Sequence, residues 1–199
     1  MSGRPFLLGL TGSIGMGKST TAAMFAAAGI PVWDADASVH QLYAPGGAAV
    51  APLAAAFPEA VRNGAVSRAA MNQLLARDST ALPRLEAIVH PLVAADRSAF
   101  IAAHAAAPLL VLDIPLLFET GADALCDATL VVTAPPDVQR ARVLARPGLS
   151  AAQFALILGR QMPDAEKRAR ASHVVETLTL DQTRADVLKL IDKLRGDHA

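Results

Sequence analysis

One short stretch of this chain carries its most specific chemistry. Gly12-Ser13-Ile14-Gly15-Met16-Gly17-Lys18-Ser19 satisfies the spacing G-x-x-x-x-G-K-[ST]. Glycines at those positions let the backbone adopt conformations barred to other residues, so successive amides point into one concavity, and a helix beginning there adds its dipole. Such a concavity suits the phosphates of a nucleoside triphosphate. Lys18 then meets the β and γ phosphates, and the Ser19 hydroxyl is placed to ligate Mg²⁺, which bridges phosphate oxygens and carries much of the neutralising charge. A guanine-reading switch is not expected. The chain has no Asn-Lys pair from which N-K-x-D could be built, and Asp113 opens Asp-Ile-Pro-Leu, not Asp-x-x-Gly.

Other side chains could serve a second substrate. Asp34 and Asp36 follow the apolar segment 30–33 and share one face if the chain stays extended. A carboxylate there could take a proton from an attacking hydroxyl or hold magnesium through water; Asp36 could equally cap a helix containing Val39 and Leu42. Asp113 ends an apolar run, as a magnesium-binding acid acting through water does, or as a plain polar strand end. His90 precedes Pro91, whose ring is expected to keep it out of helical geometry and turn its side chain toward a loop. Arg140, Arg142, Arg146 and Arg160 flank a turn at Pro147–Leu149, where mobile arginines could stabilise charge on a moving phosphoryl group and exclude water. Lys167, Arg168 and Arg170 read as solvated surface. His40, His104, His173 and His198 show no ligand spacing, so no histidine metal cluster is expected.

The elements that must position these residues follow from hydrophobic patterning. Phe6–Thr11 is an apolar run before the glycine loop, 19–28 reads as a helix closed by Gly29, and 30–33 as a second strand. Residues 38–107 show helical spacing and turn signals, with helices over 67–76, 82–89 and 91–106, but no convincing strand. Leu109–Asp113 and Ala128–Thr133 are continuous apolar runs of the kind that form buried parallel strands. Pro135 and Pro136 suit the first turn of a helix to about Ala145, Ser150 with Gln153 spells a capping box, His173–Glu176 is a weaker fifth strand, and 181–195 an amphipathic closing helix. Strands alternating with helices give an α/β fold with a mainly parallel sheet.

Composition narrows the class further. The chain has 199 residues, 53% hydrophobic and only 4% aromatic, so small side chains, mostly alanine, make up much of its apolar surface. That length folds as one domain without disulfides or a structural metal. Eighteen basic and 18 acidic residues cancel. A neutral chain is a poor general binder of nucleic acid or anionic membrane, so any anion site must be local. The lone Cys126 fits a reducing compartment and reads as a packed small hydrophobe. No leader or membrane segment is visible, and the cytoplasm is the expected location.

Taken together, the residues resemble the bacterial dephospho-CoA kinases, a family of P-loop kinases. The likeness rests on 10–19 (LTGSIGMGKS), Asp34-Ala35-Asp36, Leu85-Glu86 with His90-Pro91, Pro115-Leu116-Leu117-Phe118-Glu119, then Arg142, Arg146, Gln161-Met162 and Lys167, in order through nearly the whole chain. Ser13, Met16, Ile157, Ser172 and Thr177 depart from the family's usual residues. The resemblance implies a P-loop kinase with a five-stranded parallel sheet flanked by helices, formed by 1–37, 108–140 and 172–199, with a helical substrate-binding insertion over 38–107 and a lid over 141–171. It implies transfer of the γ-phosphoryl group of ATP, with Mg²⁺, to the ribose 3′-hydroxyl of dephospho-CoA, giving coenzyme A. Gly12, Ser13, Ile14, Gly15, Met16, Gly17, Lys18, Ser19 and Thr20 become the ATP-binding loop, and Lys18, Asp36, Arg142 and Arg146 the catalytic group. Asp36 is then the base or hydroxyl-orienting residue, and Asp36, His90, Pro115, Leu116, Leu117 and Glu119 line the acceptor side. Ser19 holds the metal, with Asp113 as a further ligand through water. Small-molecule substrates are the expected partners, with no nucleic acid or membrane, for a monomer or weak homo-oligomer. Another small-molecule P-loop kinase, or a regulatory module that binds ATP without transferring phosphate, are the rival readings.

Overall fold

The computed structural model describes residues 4–196, so His198 lies outside the described residues. The chain divides into two compact units, one formed by Met1–Trp33 with His104–Ala199 and the other by Asp34–Ala103. In chain order the elements are β1 (Phe6–Thr11), α1 (Lys18–Ala27), β2 (Val32–Asp34), α2 (Ala35–Tyr43), α3 (Val50–Ala56), β3 (Val61–Arg62), β4 (Ala65–Val66), α4 (Arg68–Arg77), α5 (Ala81–Ala103), β5 (Leu109–Asp113), β6 (Ala128–Thr133), α6 (Pro136–Leu144), α7 (Ala151–Leu158), α8 (Asp164–Arg170), β7 (His173–Glu176) and α9 (Leu180–Gly196).

Apolar runs become the sheet because strands covered by helices on both faces must be apolar throughout. Every residue of β5 and β6 is buried. The first unit is an α/β fold around a five-stranded parallel sheet in the order β2-β5-β1-β6-β7. Phe6 lies opposite Leu109, Leu8 opposite Ala128, and Leu130 opposite His173. The chain leaves β1 toward one edge and later returns to build the other edge from β6. The point where that order reverses, outside the carboxyl ends of β1 and β6, is where open α/β sheets form a ligand crevice. Leu8, Leu10, Phe25, Leu130, Val132, Val187 and Ile191 fill the core on one side of this sheet.

Asp34–Ala103 has its own core, including Leu53, Phe57, Met71, Leu74 and Val89. Two expectations for this region are corrected. A small antiparallel pair, β3 with β4, is present, joined by Asn63 at φ 51 and Gly64 at φ 75, the Asn-Gly pairing that a tight hairpin turn favours. Pro91 does not end a helix, because α5 runs through it without a break. An internal proline removes one backbone donor and crowds the preceding turn, at a cost of about 3 kcal/mol. Val89 is buried in this core, and Leu85, Ile88, Leu92 and Val93 pack against it on both sides of the proline, which offsets that cost. His90 is therefore an exposed helical residue, not a loop residue.

The aspartate pair is corrected too. Asp34 is the N-cap of α2, its Oδ1 accepting from the amides of Asp36 at 2.8 Å and Ala37 at 3.0 Å. Asp36 already lies in the first helical turn, so the two do not share the face of an extended strand. Its carboxylate is exposed and the capping task belongs to its neighbour.

Candidate active site

The cradle spans the gap between β1 and α1. Gly15 and Gly17 have φ of +80° and +85°, a region in which side chains are strained, and a Cβ at Gly15 would fall 2.5 Å from Val143 while one at Gly17 would fall 2.9 Å from the Thr177 hydroxyl. Buried Met16 fastens the loop to the core, its Sδ accepting from the Ala134 amide at 3.0 Å. Two glutamines grip the same peptide segment. Gln139 Nε2 donates to the Ile14 carbonyl at 2.7 Å, and the Ile14 amide donates to Gln161 Oε1 at 3.0 Å. Gly12 and Ser13 are buried at the root of the loop, while Ser19 and Thr20 open α1 with exposed side chains.

Lys18 leads that helix and its Nζ lies 2.6 Å from Oδ1 of Asp113, whose side chain is only 2% exposed. Asp113 is thus more than a polar strand end, because its carboxylate fixes the ammonium at the carboxyl end of β5. Beyond it, the Pro115 carbonyl accepts from Thr11 Oγ1 at 3.0 Å. Leu116 is exposed, whereas Leu117 is fully buried against Gly9 and contributes packing. Glu119 Oε1 accepts from the Met162 amide and pairs with Lys167 Nζ, both at 2.8 Å. Burial alone would push the Glu119 carboxyl up, but Lys167 and the Met162 amide together hold it below the usual carboxylate value.

Lys167 is the residue that surface reasoning misplaces. Its side chain is completely buried. Charge and sequence neighbours gave no sign of this, since Arg168 and Arg170 on the same short helix are half exposed, pairing with Asp164 and Asp123. Cys126 is half-buried, with its Sγ against Gly9. Gln139 is also absent from the sequence-based site, whereas Gln161 entered only through the family likeness and Thr177 only as a departure from the family's usual residue.

A cleft of about 250 Å³ opens beside the cradle, lined by Gly15, Gly17, Thr20, Thr21, Arg142, Arg146, Thr177–Leu180 and Thr183. Arg142 is tied down. Its Nη1 donates to Thr177 Oγ1 at 2.9 Å, and its Nη2 to the carbonyls of Thr177 and Leu178. Arg146, one turn later and beyond the end of α6, is exposed. The first unit therefore brings together the cradle, Lys18, Asp113 and both arginines, while Asp36 and His90 belong to the second unit.

The family model for dephospho-CoA kinase matches residues 6–181. The chain belongs to the dephospho-CoA kinase family. A dephospho-CoA kinase from Cereibacter sphaeroides is 64% identical over 192 residues, covering 96% of this chain and 97% of its own, and one from Jannaschia sp. is 64% identical over 189 residues, covering 95% and 97%. Among solved structures, a Thermus thermophilus protein superimposes with a TM-score of 0.86 at 38% identity, covering 96% of this chain and 97% of that one. The dephospho-CoA kinase of Campylobacter jejuni, at 20% identity and a TM-score of 0.66 with 94% and 96% covered, shares the fold. Dephospho-CoA kinases transfer phosphate from ATP to an alcohol group. That activity matches a phosphate cradle whose lysine is already fixed beside a buried carboxylate.

Proposed function

We propose that the alcohol is the ribose 3′-hydroxyl of dephospho-CoA and that the cleft beside Gly15 and Gly17 receives ATP. The observation that carries this reading is that the cradle glycines, Arg142 and Arg146 line one cleft in a dephospho-CoA kinase, with Lys18, next to Gly17 in the cradle, held by Asp113. Phosphoryl transfer asks little covalent chemistry of a protein, so positioning and charge supply most of the rate. Lys18 neutralises the β and γ phosphates, and the cradle amides hold them in line. Arg142, bound to Thr177, forms a wall of the nucleotide site, and Arg146, with its exposed guanidinium, supplies positive charge as the phosphoryl group moves.

On the acceptor side, Asp36 orients the hydroxyl and takes its proton, and its exposure with the capping task left to Asp34 supports that role. His90 and the exposed Leu116 contact the acceptor; Glu119 positions the segment around Met162. The donor set suits Mg²⁺, a hard cation that takes oxygen ligands: the exposed Ser19 hydroxyl and the Asp113 carboxylate would hold it, the latter through water. When bound, the ion neutralises phosphate charge. Residues 38–107 act as the substrate-binding insertion and 141–171 as a lid. We place the enzyme in the cytoplasm as a monomer or weak homo-oligomer; among the described residues no helix is long and apolar enough to cross a membrane.

The direct test incubates pure protein with ATP, Mg²⁺ and dephospho-CoA and weighs the acceptor. A gain of one phosphate at the 3′ position is expected. Phosphate transfer to nucleoside monophosphates or shikimate but not to dephospho-CoA would overturn the proposal.

A further inference from the structure

Three walls of the cleft meet at Thr177, which no part of the phosphate-binding motif includes. The residue follows β7 directly and is only 5% exposed. Its amide donates to the Thr133 carbonyl at the end of β6, at 2.8 Å. Its hydroxyl lies 2.9 Å from the Met16 carbonyl, 3.3 Å from that of Thr133 and 2.9 Å from Arg142 Nη1. A hydroxyl has one proton to give and lone pairs with which to accept. Since Arg142 can only donate, Oγ1 accepts from Arg142 and donates to the nearer carbonyl, that of Met16. Arg142 Nη2 grips the Thr177 carbonyl as well.

The Met16 carbonyl belongs to the peptide that carries the Gly17 amide. Whatever orients that carbonyl orients the amide that leads into Gly17, whose φ is +85°. Thr177 packs directly on Gly17, since a Cβ there would fall 2.9 Å from the threonine hydroxyl. We propose that Thr177 is a positioning residue for nucleotide binding, whose hydroxyl locks the Met16–Gly17 peptide and the Arg142 guanidinium into one arrangement. The inference rests on the reading of this cleft as the ATP site. It assigns to the β7–α9 junction a share of ATP affinity that the cradle sequence does not encode.

Thr177→Val removes the hydroxyl and keeps the branched shape, while Thr177→Ser keeps the hydroxyl. Steady-state kinetics with ATP varied at saturating dephospho-CoA, calorimetric ATP binding and melting curves are measured for the parent and both variants. Loss of a hydrogen bond to a charged group predicts that Thr177→Val raises KM and the dissociation constant for ATP by at least about tenfold, with kcat changed less than about threefold. Thr177→Ser brings both constants back to within about threefold of the parent. An unchanged KM in Thr177→Val overturns the proposal, as does a Thr177→Ser variant as impaired as the valine, which would make shape and not the hydroxyl the cause. Should the valine variant not fold, Thr177→Ala against Thr177→Ser makes the same comparison. A parent that binds ATP without phosphorylating dephospho-CoA fails the functional reading instead, and the binding measurements still decide the role of Thr177.

Discussion

Replacing Lys167 with methionine leaves the Glu119 carboxylate in a site built for a pair. The two charges are 2.8 Å apart, with side-chain exposures of 0% for Lys167 and 18% for Glu119. At an effective dielectric constant near 20 their attraction is about 6 kcal/mol, offset in large part by the cost of drawing both from water. Removing one partner from a buried pair costs about 3–5 kcal/mol. Glu119 keeps the Met162 amide and its side chain is not wholly enclosed, although Oε2 is buried, so the lower end is used here, about 3 kcal/mol. In a chain of this size each kcal/mol moves the melting temperature by about 2–4 °C, so Lys167→Met should melt about 6–12 °C below the parent at neutral pH.

The pH dependence sharpens the test. In the parent the Glu119 pKa is depressed, so its contribution is present above the ordinary carboxylate pKa and lost as pH falls through the lower folded value. Without Lys167 burial dominates and the pKa rises, so acidification protonates Glu119 and relieves the variant, narrowing its gap to the parent. Adding Glu119→Gln, which keeps an acceptor for Met162, should recover at least half of the loss at neutral pH. Calorimetric melts across pH check both points. A single variant within about 2 °C of the parent, or a double variant no better than the single, would refute the reasoning.

Three further predictions concern the chemistry. Lys18→Ala should lower kcat at least about 10²-fold, and Lys18→Ala with Asp113→Asn should regain melting temperature without regaining turnover; near-parental turnover of the single variant would show that Lys18 does not stabilise transferring charge. Asp36→Asn should cost at least about 10²-fold in kcat with ATP affinity kept within about twofold and helix content unchanged by circular dichroism, since Asp34 provides the cap. Arg146→Ala should reduce kcat on the order of 10²-fold, whereas Arg142→Ala should act mainly on KM for ATP; if kinetics show neither, Arg160 is the next lid cation to test.

Much of this was legible in the sequence because some constraints are local. The cradle could be read because only glycines tolerate the φ values found at Gly15 and Gly17. Leu109–Asp113 and Ala128–Thr133 were legible because burial on both faces forces an unbroken apolar run, and the Ser150–Gln153 capping box was found as spelled. Long-range features were not legible. Lys167 looks like its exposed neighbours until Glu119, far away in sequence, is brought to it by the fold. Pro91 reads as a helix stop because local rules do not include the packing that carries α5 past it. The Asn63-Gly64 turn was visible, but two-residue strands are too short to show alternation.

The sheet order also governs how the molecule assembles. β1, the strand that presents the cradle, finds its partners in β5 and β6, each more than a hundred residues away along the chain. Closing loops of that size before any stabilising contact forms slows folding, so the nucleotide-binding sheet is expected to complete late. The intervening Asp34–Ala103 has its own core. Its early compaction would turn a long, loose tether into a short one and shorten the search by which β5 reaches β1. A unit assigned to the acceptor would then also pace the formation of the donor site.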